Sequence, residues 1–275
     1  MSTALKAIDD ICAGSRTLNR KRLLSAEAEL LALPQVEIPI THHIHGGMYG
    51  REATIKKGLI VTGQIYKFDH IDIMISGDIT VTTDTGEAQR LKGFNLIKCV
   101  SGKKRAAYTH EDTTWITLHP YSGENGDDIQ DFITVDSFEE LEAFKTTINQ
   151  ADYISFISGI GITKEEVRAL AETTTDLTPM PLGYESIYVD NSHIEGKGLY
   201  SKEDIKKGDI ICPGRIDGKR TPAGRYTNHA LLHNAKMVFY GEDIELKAIK
   251  NITKGDEITV DYRNVINTRH ERGEL

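Results

Sequence analysis

Apolar positions change rhythm several times along the chain. Over residues 2–33, Leu24, Ala28 and Leu31 recur at helical spacing with Leu23 and Leu30 beside them, and Pro34 closes the segment. From residue 36 to about 120 the period shortens. Ala53-Thr54-Ile55, Leu59-Ile60-Val61, Ile71-Asp72-Ile73-Met74-Ile75, Ile79-Thr80-Val81-Thr82, Phe94-Asn95-Leu96-Ile97 and Thr114-Trp115-Ile116-Thr117-Leu118 read as short strands. Lys57-Gly58, Ser76-Gly77-Asp78 and Asp84-Thr85-Gly86 supply the turns, the last being a hairpin signal. Many short strands at regular intervals predict a small sandwich or barrel.

Residues 121–178 form a polar connector. Ser122-Gly123-Glu124-Asn125-Gly126-Asp127-Asp128 is an acidic turn. Ser137 and Glu140 form a capping box ahead of a helical face made by Phe138, Leu141 and Phe144. Ser158-Gly159-Ile160-Gly161-Ile162 contains Gly-x-Gly without the strand–helix unit that dinucleotides require. It reads as a turn into a helix capped by Thr163 and Glu166. From Pro181 strands return: Ile187-Tyr188-Val189, Ile205 to Ile211 around Gly208, Ile244 to Ala248, and Ile252 to Ile258 around Gly255.

At 275 residues, with 39% hydrophobic and 27% charged residues, the chain has the composition of an ordinary soluble protein and the length for two modest domains. Its net charge of −8 argues against a dedicated nucleic-acid binder. Arg16, Arg20, Lys21 and Arg22 make the N-terminal helix the most basic stretch, read as a solvated face. Cys12, Cys99 and Cys212 are widely spaced and predict neither a disulfide framework nor a cysteine zinc site. No secretory signal and no apolar run of membrane-spanning length is expected.

The strand-rich first half resembles the cupin double-stranded β-helix, in a version seen in tailed-phage proteins. The residues behind this are Gly46-Gly47-Met48-Tyr49-Gly50-Arg51-Glu52, Ser76-Gly77-Asp78, Gly102-Lys103-Lys104-Arg105 and His110-Glu111-Asp112-Thr113-Thr114-Trp115. Cupins often hold a metal with a His-x-His pair, a later Glu and a distant His. His43, His45 and Glu52 fit that order, with His70, His110 and His119 as remote candidates. The second cupin motif is absent, and His43 and His45 precede the first clear strand. These histidines therefore read as surface or structural groups, and no metal is expected.

The C-terminal quarter resembles a compact SET domain, the fold of S-adenosylmethionine-dependent protein lysine methyltransferases. Glu195-Gly196-Lys197-Gly198-Leu199-Tyr200 matches the family's glycine turn, and Arg225-Tyr226-Thr227-Asn228-His229 its asparagine–histidine core. Asn234 stands where the family has a second asparagine, and Gly255-Asp256-Glu257-Ile258-Thr259-Val260-Asp261-Tyr262 matches its closing strand. The resemblance implies Tyr262 as the catalytic residue, with Lys197, Gly198, Leu199, Tyr226, Asn228 and His229 binding the cofactor. Ala230 stands where the family has serine and His233 where it has proline, and residues 199–224 leave little room for a peptide groove.

The fold expectation is therefore mainly β with peripheral helices: a cupin-like β-barrel followed by a compact SET domain of β-clip type. The expected boundaries are a helical arm at 1–35, the barrel at 36–122, a helical connector at 123–178 and the SET domain at 179–275. The resemblance implies a phage-encoded protein lysine methyltransferase. The alternative is a non-catalytic virion structural or assembly protein. Expected partners are a protein substrate or a phage or host protein, and copies of itself in a homo-oligomer. Neither a membrane nor dedicated nucleic-acid binding is expected. The host cytoplasm is the expected location, with the virion as the alternative.

Overall fold

The computed structural model describes residues 3–13, 16–83, 87–121, 123 and 128–271. The turn expected at Asp84-Thr85-Gly86 and most of the acidic loop at 122–128 lie outside these residues. The chain divides into two compact units, Met1–Glu142 and Ala143–Leu275. It is mainly β.

Among the described residues the first unit holds two larger antiparallel sheets beside the two-stranded pair of Ile65–Tyr66 with Thr134–Val135. One runs, in spatial order, Ile40–His45, Met48–Ile55, Thr113–Pro120, His70–Ser76 and Asn95–Cys99. The other runs Ile60–Thr62, Ala106–Thr109, Asp78–Val81 and Gln89–Lys92. The first hairpin closes through Gly46 and Gly47, with φ of +57° and +77°. A two-residue turn with both φ positive matches strand twist, and glycine adopts it without a Cβ penalty. Met74, Ile79, Val81, Leu91 and Ala107 form the apolar core. Full burial of a side chain such as Ile79 contributes about 1.5–3 kcal/mol. The interior also holds polar groups: His70, Asp72, Thr117 and His119 are all buried.

The expected N-terminal helix is two helices, Thr3–Cys12 and Arg16–Leu31. Asn19 donates from Nδ2 to the Cys12 carbonyl at 3.1 Å, satisfying a terminal acceptor of the first helix with a side chain of the second. Ile8, Ile11 and Leu23 pack with Ala106 of the second sheet. His43 and His45 correct the sequence reading of where strands begin. They belong to the first strand, Ile40–His45, paired with Met48–Ile55.

The connector forms the helices Ile129–Ile133, Phe138–Gly159 and Lys164–Glu172. Thr163 and Glu166 form a reciprocal capping box, whereas at Ser137 half of the expected box forms: Glu140 N–H donates to Ser137 Oγ at 3.0 Å and the Glu140 carboxylate accepts from Asp136 N–H at 3.1 Å.

The second unit carries two four-stranded sheets. One is ordered Ile187–Asn191, Lys197–Ser201, Glu257–Val260 and Asn228–His229; the other is Lys219–Arg220, Ile210–Ile216, Asp243–Ala248 and Ala235–Tyr240. Asn228–His229 runs parallel to Glu257–Val260, setting Asn228 opposite Thr259 and His229 opposite Val260. Thr221 caps the short helix Pro222–Tyr226 that delivers Asn228, with its hydroxyl accepting from Gly224 N–H. Leu199, Leu246, Ile252, Ile258 and Val260 centre the core. Among the described residues, no helix is long and apolar enough to cross a membrane.

Candidate functional site

Strand pairing brings the C-terminal motif residues together. The two amide N–H groups of Asn228 face the Glu195 carbonyl at 3.2 Å, the Lys197 carbonyl at 3.1 Å and Glu257 Oε1 at 2.9 Å. Its donors are thus spent on holding the glycine turn, and Oδ1 is the atom left to meet a ligand. Glu257 also accepts from Ser192 Oγ, at 2.9 and 3.0 Å on its two oxygens. A Cβ at Gly198 would overlap the Glu257 carboxylate, so a side chain there must displace that carboxylate from its hydrogen bonds to Asn228 and Ser192. Gly196, by contrast, sits at φ +52° with open space where its Cβ would lie. Leu199 is buried in the core, whereas Lys197 is exposed. The Lys197 ammonium lies 5.8 Å from the centre of the half-buried Tyr226 ring, and the Arg225 guanidinium 5.2 Å from it.

His229 is fully buried. Its Nδ1 accepts the Tyr262 backbone N–H at 3.0 Å, which leaves the ring proton on Nε2, directed at Asp152 Oδ2 2.9 Å away. Burial pushes the imidazole pKa below its ordinary value against the opposing pull of Asp152, so the ring is neutral near pH 7. Burial raises Asp152, but its hydrogen bonds to Arg263 and His229 outweigh this and leave its carboxyl below the usual range. Arg263 reaches the two Asp152 oxygens at 3.1 and 2.5 Å. Phe156 stacks on the imidazole with ring centres 5.0 Å apart.

Tyr262 opens the last helix, Tyr262–Glu271, and donates its hydroxyl to the Thr227 carbonyl at 2.7 Å. Burial drives its pKa upward, with further contributions from Tyr153 and Glu257, so the phenol stays protonated. Asn234 closes the assembly structurally. It donates to the Glu257 carbonyl at 2.7 Å and accepts from Thr259 N–H at 2.9 Å.

Residues 214–263 match the family model of the SET domain. The C-terminal unit carries a SET domain. Solved structures similar to part of the chain include a Plasmodium falciparum protein named as a histone methyltransferase. It is 27% identical over 28% of this chain and 92% of its own, with a TM-score of 0.25. Cupin-type neighbours match the other part. One is a cupin-2 domain protein of Shewanella frigidimarina, 9% identical over 35% of this chain and 91% of its own, TM-score 0.26. A conserved Streptococcus pyogenes protein of unknown function is 16% identical over 33% of this chain and 80% of its own, TM-score 0.27. No curated protein matches the chain.

Sequence reasoning missed Asp152, Tyr153, Phe156 and Ile157, which line one side of the Phe138–Gly159 helix and meet His229, Ala230 and Ile194. Tyr153 and Ile157 pack on Ala230 and Ile194. That packing explains alanine at position 230, which is wholly buried against apolar side chains where a hydroxyl would need a partner. The legible signal was the i, i+4 spacing of Asp152 with Phe156 and of Tyr153 with Ile157.

The histidines of the first unit separate into different environments. His43 Nε2 meets Glu52 Oε2 at 2.8 Å on an exposed face, and His45 is exposed. His110 pairs with Thr80 at 2.8 Å. His70 and His119 stack inside the unit, with ring centres 4.8 Å apart. His70, Asp72 and Cys99 bring three potential ligand atoms within 4.8 Å of one another. The Arg105 guanidinium already engages this cluster, 2.6 Å from Asp72 Oδ2 and 3.2 Å from Cys99 Sγ. Burial also pushes the Cys99 thiol up to about 11. Its charge requirement is met by a guanidinium, and its thiol is protonated near pH 7.

Proposed function

We propose that the protein is a SET-type S-adenosylmethionine-dependent methyltransferase acting on a protein lysine, with Tyr262 at the transfer centre. In this reading residues 179–275 form the SET domain and residues 36–122 the cupin-like barrel. Lys197, Gly198, Leu199, Tyr226, Asn228 and His229 line the cofactor site. The carrying observation is that the Tyr262 hydroxyl and Thr227 carbonyl oxygens lie 2.7 Å apart beside Asn228.

S-adenosylmethionine supplies a methyl group on a sulfonium cation, whose polarised C–H groups favour oxygen neighbours. The Tyr262 hydroxyl donates its hydrogen bond to the Thr227 carbonyl, leaving its lone pairs for such contacts. Because burial keeps it protonated, it orients and does not act as a base. Asn228 Oδ1 is placed to accept from an ammonium. The Tyr226 ring already has two cations beside it, Lys197 and Arg225, so it serves as a pocket wall and the sulfonium charge rests on the oxygen neighbours. The lysine must arrive neutral, so orientation supplies most of the rate.

One observation favours the second reading, a non-catalytic phage structural or assembly protein. Phe156 covers the His229 ring and Tyr153 covers Ala230, so helix packing occupies that side of the motif. Phage origin and a homo-oligomeric state belong to both readings.

Calorimetric titration of the intact protein with S-adenosylmethionine separates them. Saturable binding, weakened by Asn228→Ala and retained in Tyr262→Phe, is expected, with labelled-methyl transfer to lysate protein lost in Tyr262→Phe. A folded wild-type protein that fails to bind overturns the enzymatic reading.

A further inference from the structure

The first unit holds a half-open cavity of about 150 Å³. Its apolar wall includes Ile55, Val61, Ile79, Val81 and Trp115. Into this wall come the guanidinium groups of Arg51 and Arg105 and one carboxylate, Asp72. The Asp72 charge is already committed. Arg105 binds one of its oxygens at 2.6 Å, and Thr117 Oγ1 donates to the other at 2.9 Å. The cavity therefore carries an excess of positive charge.

Arg51 is the group that excess falls on. It lies mid-strand, directly across from Thr117, and alternation turns it inward with Tyr49, Ala53 and Ile55. It is half-buried, and among the described residues its guanidinium meets no hydrogen-bond acceptor or carboxylate. Its field instead reaches the phenols of Tyr49 and Tyr66, both held neutral by burial. A guanidinium taken partly out of water without an acceptor is costly, and the cost is recovered when an anion arrives. The space sets the size of that anion, because an apolar cavity of about 150 Å³ accepts benzene.

We propose that this cavity binds a small organic monoanion, a carboxylate on a compact apolar body, with the carboxylate on Arg51 and the body against Trp115, Ile79 and Val81. The arrangement differs from a metal centre in that guanidinium groups supply the positive charge.

Trp115 is the single tryptophan of the chain, so its fluorescence reports occupation directly. The full-length protein is titrated with benzoate and with its neutral isostere benzamide. Benzoate is expected to give a saturable change, and benzamide to bind at least about tenfold more weakly, as loss of a charge-assisted bidentate contact implies. Arg51→Met is expected to lose a similar factor for benzoate with a melting temperature no lower than wild type, and Arg51→Lys to be intermediate in affinity. Equal binding of benzoate and benzamide by the wild type overturns the proposal, whatever the variants do. So does full benzoate affinity in Arg51→Met, or a folded wild type that shows no saturable response to benzoate.

Discussion

His229 and Asp152, 77 positions apart in the chain, meet through a 2.9 Å hydrogen bond that fixes the tautomer of a fully buried imidazole. The backbone N–H of Tyr262 holds the other ring nitrogen, so one histidine ties the upstream helix to the start of the last one. Removing the carboxylate in Asp152→Ala leaves the buried Nε2–H without an acceptor. The expected cost is about 2 kcal/mol, since an unsatisfied buried donor loses roughly 1–3 kcal/mol. Denaturant unfolding should show a lower midpoint, with Asp152→Asn closer to wild type because its amide oxygen still accepts. An unchanged midpoint in Asp152→Ala would show that the pair does not support the fold.

Gly198 and Glu257 form a steric pair. A Cβ at position 198 displaces the carboxylate that receives Asn228 Nδ2 and Ser192 Oγ. Gly198→Ala should therefore destabilise by about 1–3 kcal/mol, as overpacking does. In a double-mutant cycle, Gly198→Ala on a Glu257→Ala background should cost less than on wild type. Additive effects would refute the coupling.

Arg105 and Asp72 form the interior ion pair of the first unit, both largely withdrawn from solvent. Arg105→Leu strands a buried carboxylate, and breaking such pairs costs roughly 3–5 kcal/mol. Asp72→Asn combined with Arg105→Leu should recover much of that loss, because it removes the orphaned charge. Chemical denaturation of the two variants compares them, and a double variant no more stable than the single one counts against the assignment.

His119 gives the pH dependence its sign. It is fully buried and packs on His70 and Tyr66, with Asp72 nearby. Burial, then the neighbouring His70, lowers its pKa from 6.5 to about 4, against the pull of Asp72. The unfolded chain consequently binds more protons between these values, so stability rises with pH through that window and falls as pH drops from 6.5 towards 4. The full shift corresponds to about 3 kcal/mol. Melting curves across this range should flatten in His119→Phe, and an equal acid slope in the variant would place the effect elsewhere.

Much of the fold was legible because its signals are local. Alternating residues such as Ile71 to Ile75, the turn Lys57-Gly58 and the caps Ser137 and Thr163 each act within a few positions. Motif order likewise drew Asn228, His229, Asn234 and Tyr262 into one neighbourhood. Asp152 was not legible, because its helix face acquires meaning only against the strand it covers. Nor was the Gly198–Glu257 contact legible, because the two residues are brought together only by strand pairing.

Strand alternation by itself determined that Arg51 and Glu52 point to opposite faces, since successive side chains on a strand diverge. Which face became the interior was decided by the tertiary structure. Pairing of Met48–Ile55 with Thr113–Pro120 put Arg51 on the same face as Trp115, and the second sheet covered that face and left Glu52 with His43 outside. The same closure brought Arg105 onto Asp72, 33 positions away, and placed a guanidinium in the interior among His70, Asp72 and Cys99. Sequence spacing sets the face of each element. Burial and charge pairing depend on what that face meets.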